Sequence, residues 1–253
     1  MRVIVTRPAA QAAGWVARLR GAGHDAVALP LIAIHPAADP AAVRAVWHGL
    51  AQRRLAVFVS PNAADRFMAA RPAELAWPPG TLAGSTGPGT TQALRDHGVA
   101  PDCIVEPAAD AQQFESEALW QRLRDRDWQG AQVLVVSGDG GREWLAETLR
   151  ARGAVVEMLA AYRRGAPAWS RAETDLLAAA LRRPGEHVWL FSSSEAIDNL
   201  AALAGSGVDW SASRAIATHD RIAARAQQLG LARVERAAPT LAAVSGCIQS
   251  MAP

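Results

Sequence analysis

The chain of 253 residues contains no lysine, and all 26 of its basic residues are arginine. This absence excludes enzymes that form a Schiff base through lysine, anchor pyridoxal phosphate on it, or hold a nucleotide with a phosphate-loop lysine. The formal net charge is only +2, and the arginines are spread evenly, so we expect no nucleic-acid-binding surface. This low net charge is compatible with a small anionic ligand, because arginines and helix N-termini bind carboxylates without a large net charge.

Cysteines, metal-binding patterns and long apolar runs are also scarce. Cys103 and Cys247 form neither a metal-binding spacing nor a disulfide framework, and the six histidines show no i, i+4 pairing. No apolar run approaches the roughly 18 residues of a membrane span, and Met1–Thr6 lacks a signal-peptide layout. We therefore expect a soluble, cytoplasmic protein with no metal site and no membrane partner.

Two stretches of the chain repeat each other. Residues 58–64 and 191–197 both consist of an apolar end, small hydroxyl residues and a helix start, at an offset of 133. Gly98 and Glu106-Pro107 correspond to Gly230 and Ala238-Pro239 at an offset of 132. A repeat of this length predicts two similar domains rather than a solenoid array. Clefts between domains are common ligand sites, so we expect the ligand there.

A second match shows that the repeat is shifted along the chain. Strand 2–6 with Gly23 resembles strand 132–136 with Gly153, at an offset of 130. The N-terminal unit therefore matches the end of the central repeat. The pattern predicts a discontinuous domain, 1–36 plus 166–253, and an inserted domain, 39–161. Two crossing segments, 33–36 and 161–165, then form a two-segment hinge between the domains. A plain tandem of two domains is the alternative.

Short apolar runs alternate with amphipathic helical patterns, which predicts an α/β fold of two doubly wound, flavodoxin- or Rossmann-like domains. Continuous apolar runs such as Val133–Val136 suit parallel sheets that are covered on both faces. The predicted strands are 2–6, 25–29, 55–60, 81–85, 102–106, 131–137, 154–160, 187–192, 214–218 and 232–236.

Polar residues collect where the predicted strands lead into helices, and ligands of doubly wound sheets bind at these ends. Backbone N–H groups at helix starts bind anions, although serine, threonine and asparagine also cap helices without any ligand. The candidate substrate-binding residues are Thr6, Arg7, Ser60, Asn62, Gly87, Gly89, Thr90, Ser137, Gly138, Gly140, Arg142, Ser193, Ser194, Thr218, His219 and Arg221.

Two further features bear on chemistry. The run 138–141 suggests a dinucleotide loop, but Glu143 stands at the last glycine of that fingerprint, so the indication of NAD binding is weak. Tyr162, the only tyrosine, lies at the second predicted crossing. A tyrosine in a cleft can donate a proton to a leaving group, and a packing role is the alternative.

An ordered set of motifs resembles the uroporphyrinogen-III synthase family from Arg2 to about Ile248. The motifs are Val5-Thr6-Arg7-Pro8, Leu29-Pro30-Leu31-Ile32, Phe58-Val59-Ser60-Pro61-Asn62-Ala63, Gly87-Pro88-Gly89-Thr90, Gly138-Asp139-Gly140-Gly141-Arg142, Ala161-Tyr162-Arg163-Arg164, Phe191-Ser192-Ser193-Ser194 and Ala238-Pro239-Thr240. The resemblance implies two α/β domains, one discontinuous, with the active site in the cleft between them.

The resemblance also implies a cofactor-free lyase that cyclises hydroxymethylbilane, a linear tetrapyrrole with eight carboxylates, to uroporphyrinogen III. Loss of water gives an azafulvene, and attack by the last pyrrole gives a spiro intermediate that recloses with that ring inverted. In this family the tyrosine of the second crossing is the candidate to assist departure of hydroxide, which implies Tyr162. The family also leads us to expect a monomer.

The chain departs from the family at one loop. His219-Asp220-Arg221-Ile222 stands where many members have Gly-Pro-x-Thr, so Thr218 is the nearest substitute for the threonine. We hypothesise that His219 or Arg221 contacts a carboxylate instead. The alternative function is a non-catalytic, two-lobed binding protein for an anionic small molecule. A nucleotide-dependent enzyme is disfavoured by the missing lysine and the incomplete glycine fingerprint.

Overall fold

Apolar runs of the sequence form the strands of two separate sheets in the computed structural model, which describes residues 1–108, 116–140 and 143–251. The chain divides into two units. The discontinuous unit comprises residues 1–33 and 165–253, and the inserted unit comprises residues 34–164.

The described residues form eleven strands: β1 (Arg2–Val5), β2 (Ala26–Ala28), β3 (Ala33–Pro36), β4 (Leu55–Phe58), β5 (Leu82–Ser85), β6 (Ile104–Val105), β7 (Gln132–Gly138), β8 (Val155–Gly165), β9 (His187–Phe191), β10 (Arg214–Ala217) and β11 (Arg233–Arg236). All ten predicted strands are present. The additional strand, β3, lies where a domain crossing was predicted, and β8 runs five residues past its predicted end.

The same residues form ten α-helices: α1 (Ala9–Gly21), α2 (Pro40–Ala45), α3 (Pro61–Ala69), α4 (Pro88–Asp96), α5 (Ser116–Leu123), α6 (Trp144–Ala151), α7 (Arg171–Arg182), α8 (Ser194–Ala204), α9 (Asp220–Leu229) and α10 (Leu241–Met251). The longest of them, α1, has 13 residues. None of these described helices is long and apolar enough to cross a membrane.

The sheet of the discontinuous unit has the strand order β11-β10-β9-β1-β2, and all of its pairs are parallel. Its three central strands, β10, β9 and β1, are buried on both faces, as continuous apolar runs predict. Val3 and Val5 of β1 pack on one face against the apolar side of α1 and α10, in a core that includes Leu19 and Val244. On β9, Trp189 stacks on Phe191.

The sheet of the inserted unit has the order β3-β8-β7-β4-β5-β6. Alternate residues of β4 and β7 point to opposite faces, because side chains along a strand alternate. Phe58 and Val136 belong to the core under α3 and α4, whereas Val57 and Val135 belong to the core under α5 and α6. Burial on both faces holds the carboxyl ends of β4 and β7 in fixed positions.

The two sheets share one topology. Strands β4, β5, β6, β7 and β8 have the same order in their sheet as β9, β10, β11, β1 and β2 have in theirs. In this correspondence β1 and β2 take the places of β7 and β8. Gly98 and Gly230, which the repeat pairs, follow α4 and α9 with φ of +83° and +108°. A left-handed residue ends a helix at little cost only when it is glycine.

Candidate functional site

The topology indicates where a ligand would bind on each sheet. Ligands of doubly wound sheets bind beyond the carboxyl ends of the strands, at the point where successive connections diverge to opposite sides. In the inserted unit the chain leaves β4 towards β5 and leaves β7 towards β8, so β4 and β7 mark this point. In the discontinuous unit the corresponding strands are β9 and β1.

At this point of the inserted unit, the structure brings together Ser60, Gly138 and Tyr162. The hydroxyl oxygens of Ser60 and Tyr162 are 3.1 Å apart, within hydrogen-bond distance. Tyr162 is 5% exposed, and its ring belongs to the core that includes Phe58 and Val136. The only phenol of the chain is therefore held by packing and by one side-chain hydrogen bond.

Ser60 is fixed because it caps a helix. It has extended backbone angles before α3, and its Oγ accepts a hydrogen bond from the backbone N–H of Ala63 at 3.1 Å. Pro61 occupies the first turn, where proline favours helix initiation. The sequence Ser-Pro thus sets both the helix start and the position of the hydroxyl.

Gly138 lies directly against the ring of Tyr162. A Cβ atom at position 138 would stand 2.7 Å from Cζ of the tyrosine, so no side chain fits there without movement. The register between β7 and β8 shifts by one residue here, because Ser137 pairs with Ala160 and Gly138 with Tyr162. The N–H of Asp139 donates to the carbonyl of Tyr162 at 2.9 Å, which fixes the backbone after the shift.

The loop between β5 and α4 packs beside the same helix start. A Cβ at Gly89 would lie 3.3 Å from the ring of Pro61, so the first turns of α4 and α3 approach closely. Gly87 precedes α4 with no side-chain cap, and Thr90 is buried. The hydroxyls of Ser85, at the end of β5, and Thr91, in α4, are 2.6 Å apart. Gly89 therefore lies next to Pro61, the residue that follows Ser60.

The other predicted residues of this unit have varied surroundings. Asn62 is half-buried in the first turn of α3. The Ser137 hydroxyl donates to the carbonyl of Gly138 at 2.9 Å. Gly140 is exposed, with φ of +70°, in the turn after β7. Arg142 lies outside the described residues.

In the discontinuous unit, Thr6 and Arg7 follow β1. Thr6 is buried, and its hydroxyl donates to the carbonyl of Leu190 on β9 at 2.7 Å. Arg7 stacks on Trp15, with its guanidinium carbon 5.0 Å from the ring centre, and its Nη1 lies 3.5 Å from Oε1 of Gln11. Thr6 thereby joins the two strands at the divergence point, and Arg7 covers the side of α1.

Arg7 carries a charge without a carboxylate partner among the described residues. Its Nε is buried and has no hydrogen-bond partner there. Burial, together with the smaller effect of the neighbouring charge of Arg18, lowers the pKa of Arg7 to about 10. The guanidinium is still protonated at neutral pH, so an anion beside it would gain a charge-assisted hydrogen bond.

The remaining predicted residues lie at the starts of α8 and α9. Ser193 precedes α8 without making a capping hydrogen bond, and the buried Oγ of Ser194 has no partner among the described residues. The N–H of Thr218 donates to the carbonyl of Phe191. His219 caps α9, because its Nδ1 accepts from the N–H of Arg221 at 3.2 Å, while the Arg221 side chain is exposed.

The pairing of Ser60 with Tyr162 was not predicted. The two residues are 102 positions apart, and no local pattern links them. Gly138 was predicted as a ligand-binding loop residue, and in the structure its lack of a side chain makes room for the phenol. Within the described part of the chain, no group of three or more His, Cys, Asp and Glu side chains is placed to hold a metal ion.

Comparison with known proteins places the chain in a family. The family model described as uroporphyrinogen-III synthase HemD matches residues 13–245. A uroporphyrinogen-III synthase from Synechococcus elongatus is 28% identical over 220 residues, covering 83% of this chain and 78% of the relative. One from Escherichia coli is 32% identical over 175 residues, covering 68% and 69%.

Solved structures show the same fold. A mutant uroporphyrinogen III synthase from Thermus thermophilus superposes with a TM-score of 0.59 at 18% identity, covering 99% of this chain and 98% of the other. The enzyme from Helicobacter pylori gives 0.58 at 17% identity over the full length of both chains. The structural likeness supports the two-domain α/β fold, and the family match covers nearly the whole sequence. The chain belongs to the uroporphyrinogen-III synthase family.

Proposed function

We propose that this protein is a lyase that cyclises hydroxymethylbilane to uroporphyrinogen III, in tetrapyrrole and haem biosynthesis. Family membership and the names of its relatives support this reaction. The structural observation that carries it is the pairing of the Tyr162 phenol with Ser60 at the divergence point of the inserted sheet. No observation favours a protein that only binds an anionic ligand.

The first chemical step breaks the carbon–oxygen bond of the terminal hydroxymethyl group. Tyr162 donates its proton to the departing hydroxyl, which leaves as water. As the carbon–oxygen bond breaks, the electron pair of the pyrrole nitrogen is delocalised through the ring and forms a double bond between the ring and the former hydroxymethyl carbon. The nitrogen then loses its proton to the tyrosinate, so the products are an azafulvene, water and a neutral phenol. Exclusion of water from the site favours this weak acid, because the developing charges are less screened.

The later steps need positioning rather than further acids. The last pyrrole attacks the azafulvene through its substituted carbon, and the spiro intermediate fragments and recloses with that ring inverted. Without positioning, the free carbon of the same ring attacks and gives the symmetric type I isomer. The enzyme therefore has to hold the chain of four pyrroles in the geometry in which the substituted carbon is the nearer one.

Backbone N–H groups and arginines hold the eight carboxylates in this proposal. The starts of α3, α4, α8 and α9 each present N–H groups at the positive end of a helix dipole. Gly87 and Ser193 supply no side-chain cap to their helices, which leaves N–H groups for a ligand. Arg7 and Arg221 supply formal positive charges. We expect no cofactor and a monomer, as the family resemblance implies, and a cytoplasmic location, as the composition predicts.

The test is a reaction without added cofactor. Purified protein is given freshly generated hydroxymethylbilane, and the oxidised porphyrin isomers are separated by chromatography. We expect the type III isomer, formed faster than spontaneous closure. Type I product alone, at the spontaneous rate, would contradict the proposed function.

A further inference from the structure

Ser60 connects the start of α3 to the only phenol of the chain. Its Oγ lies 3.1 Å from the backbone nitrogen of Ala63 and 3.1 Å from the hydroxyl oxygen of Tyr162. The N–H of Ala63 can only donate, so it uses one lone pair of Oγ. The hydroxyl hydrogen of Ser60 and its second lone pair are then available for Tyr162.

We propose that Ser60 is a positioning residue that donates its hydroxyl hydrogen to Tyr162 and so directs the phenol proton towards the departing hydroxyl group. This inference rests on the proposed function. Hydrogen bonds then run in one direction, from Ala63 N–H to Ser60 Oγ and from Ser60 O–H to the tyrosine oxygen. The tyrosine keeps its own hydrogen for the substrate.

The direction of this chain also favours loss of the proton. The N–H of Ala63 belongs to the first turn of α3, at the positive end of the helix dipole. The hydrogen bond from the Ala63 N–H to Oγ polarises the serine hydroxyl, because consecutive hydrogen bonds strengthen one another in a site of low dielectric. The serine hydroxyl then stabilises the negative charge that develops on the tyrosine oxygen during the step.

Packing leaves the phenol little freedom to turn away. Gly138 lies under the ring, where a Cβ would stand 2.7 Å from Cζ and 3.1 Å from the hydroxyl oxygen. The hydrogen bond from Asp139 N–H to the Tyr162 carbonyl holds the backbone at the register shift. Ser60 is thus bonded to a ring whose position is already fixed, and its role is to orient the hydroxyl hydrogen.

The repeated unit provides an internal contrast. At the offset of 133, Ser193 corresponds to Ser60, and it makes no capping hydrogen bond before α8. At the offset of 130, Ile32 corresponds to Tyr162 and Pro8 to Gly138. One half of the duplicated fold therefore has the serine, the glycine and the phenol together, and the other half retains only the serine.

The first test measures kinetics. Ser60→Gly removes the hydroxyl but keeps a residue that begins helices almost as well, and Ser60→Thr retains the hydroxyl. Ser170→Gly is the matched control, because Ser170 caps α7 through Glu173 and its hydroxyl bonds to no tyrosine. We expect Ser60→Gly to lower kcat by about tenfold with little change in KM. Ser60→Thr should recover most of kcat, and Ser170→Gly should retain it.

A double-mutant cycle shows whether Ser60 acts through Tyr162. We expect the double variant Ser60→Gly, Tyr162→Phe to be no slower than Tyr162→Phe alone, because the serine has no phenol left to orient. Independent, multiplying losses in kcat would overturn the inference.

A spectroscopic test does not depend on activity. Tyr162 is the only tyrosine, so protein labelled with ¹³C at tyrosine Cζ gives one tyrosine signal. We expect Ser60→Gly to move that signal, Ser60→Thr to restore it, and Ser170→Gly to leave it in place. A signal that stays unmoved in Ser60→Gly would overturn the role of Ser60 and leave the proposed function intact. Absence of type III product from the unaltered protein would overturn the proposed function, and with it the kinetic role of Ser60.

Discussion

The α-carbon of Gly138 faces the ring of Tyr162 so closely that a methyl group at position 138 would stand 2.7 Å from Cζ and 2.8 Å from Cε2. The ring cannot move away from position 138, because it packs in the core of the inserted unit. The identity of residue 138 thereby controls where the phenol lies, although glycine contributes no chemical group of its own.

We predict that Gly138→Ala lowers the free energy of unfolding by about 1–3 kcal/mol, as overpacking does, and removes most of the activity. Gly14→Ala is the control, because Gly14 lies within α1 with nothing within 4 Å of its added Cβ. Alanine at position 14 should raise the free energy of unfolding by roughly 0.5–1 kcal/mol and leave the activity unchanged. Denaturant unfolding and turnover measure both variants. A Gly138→Ala variant with native turnover would show that the phenol need not stay where it lies.

We predict that Tyr162→Phe lowers kcat roughly 100-fold and leaves KM nearly unchanged, because the phenol proton is needed only as the hydroxyl departs. The variant keeps the ring and its packing, so the product should remain the type III isomer. Steady-state kinetics with isomer analysis measures both properties. Native kcat in this variant would remove Tyr162 from the mechanism.

The parallel sheets could be predicted from the sequence because their central strands are continuous apolar runs, such as Val133–Val136, that suit burial on both faces. The predicted repeat rests partly on positions that the backbone restricts, such as Gly98 and Gly230, which both have a positive φ. Strand β3 was missed because Ala33–Pro36 is short and ends in proline. Such a segment is tolerated at the edge of a sheet, which is where β3 lies.

The candidate site was predicted only in part. Its loops could be proposed from the sequence because polar residues follow the strands, but the contacts between the loops depend on strand order. Ser60 meets Tyr162 because β7 lies between β4 and β8 and ends in a glycine, and no pattern within either segment indicates this. The capping role of His219 was also missed, because histidine is not among the residues that usually begin helices.

We predict that Arg221→Ala raises KM several-fold and leaves kcat nearly unchanged, because its exposed charge has no carboxylate partner among the described residues and can serve the substrate. Arg225→Ala is the matched control on the same helix, since Arg225 already pairs with Asp198 at 2.6 Å. Its KM should stay close to that of the unaltered protein. An unchanged KM in Arg221→Ala would contradict a contact between Arg221 and a substrate carboxylate.

We predict that Arg7→Gln raises KM by about tenfold, the effect of losing one charge-assisted hydrogen bond, while it increases the free energy of unfolding by up to about 1 kcal/mol. Both effects have one cause: the guanidinium is partly buried, and its Nε has no partner in the described structure. Arg18→Gln is the control, because Arg18 is exposed and stacks on the same Trp15 ring, at 5.1 Å. Kinetics and denaturant unfolding at pH 7 separate the two variants.

The stability gain of Arg7→Gln should also depend on pH in one direction. Burial lowers the pKa of Arg7 in the folded protein to about 10, whereas in the unfolded chain the pKa stays at the higher value of a solvated arginine. Between these values the unfolded state binds more protons, so this group makes the unaltered protein more stable as the pH rises. Below about pH 10 the cost of the buried charge is fully present. The gain should therefore be constant from pH 7 to pH 9 and smaller at pH 10.5, as measured by unfolding both proteins in parallel. A gain that grows with pH in this range would mean that burial does not disfavour the charged guanidinium.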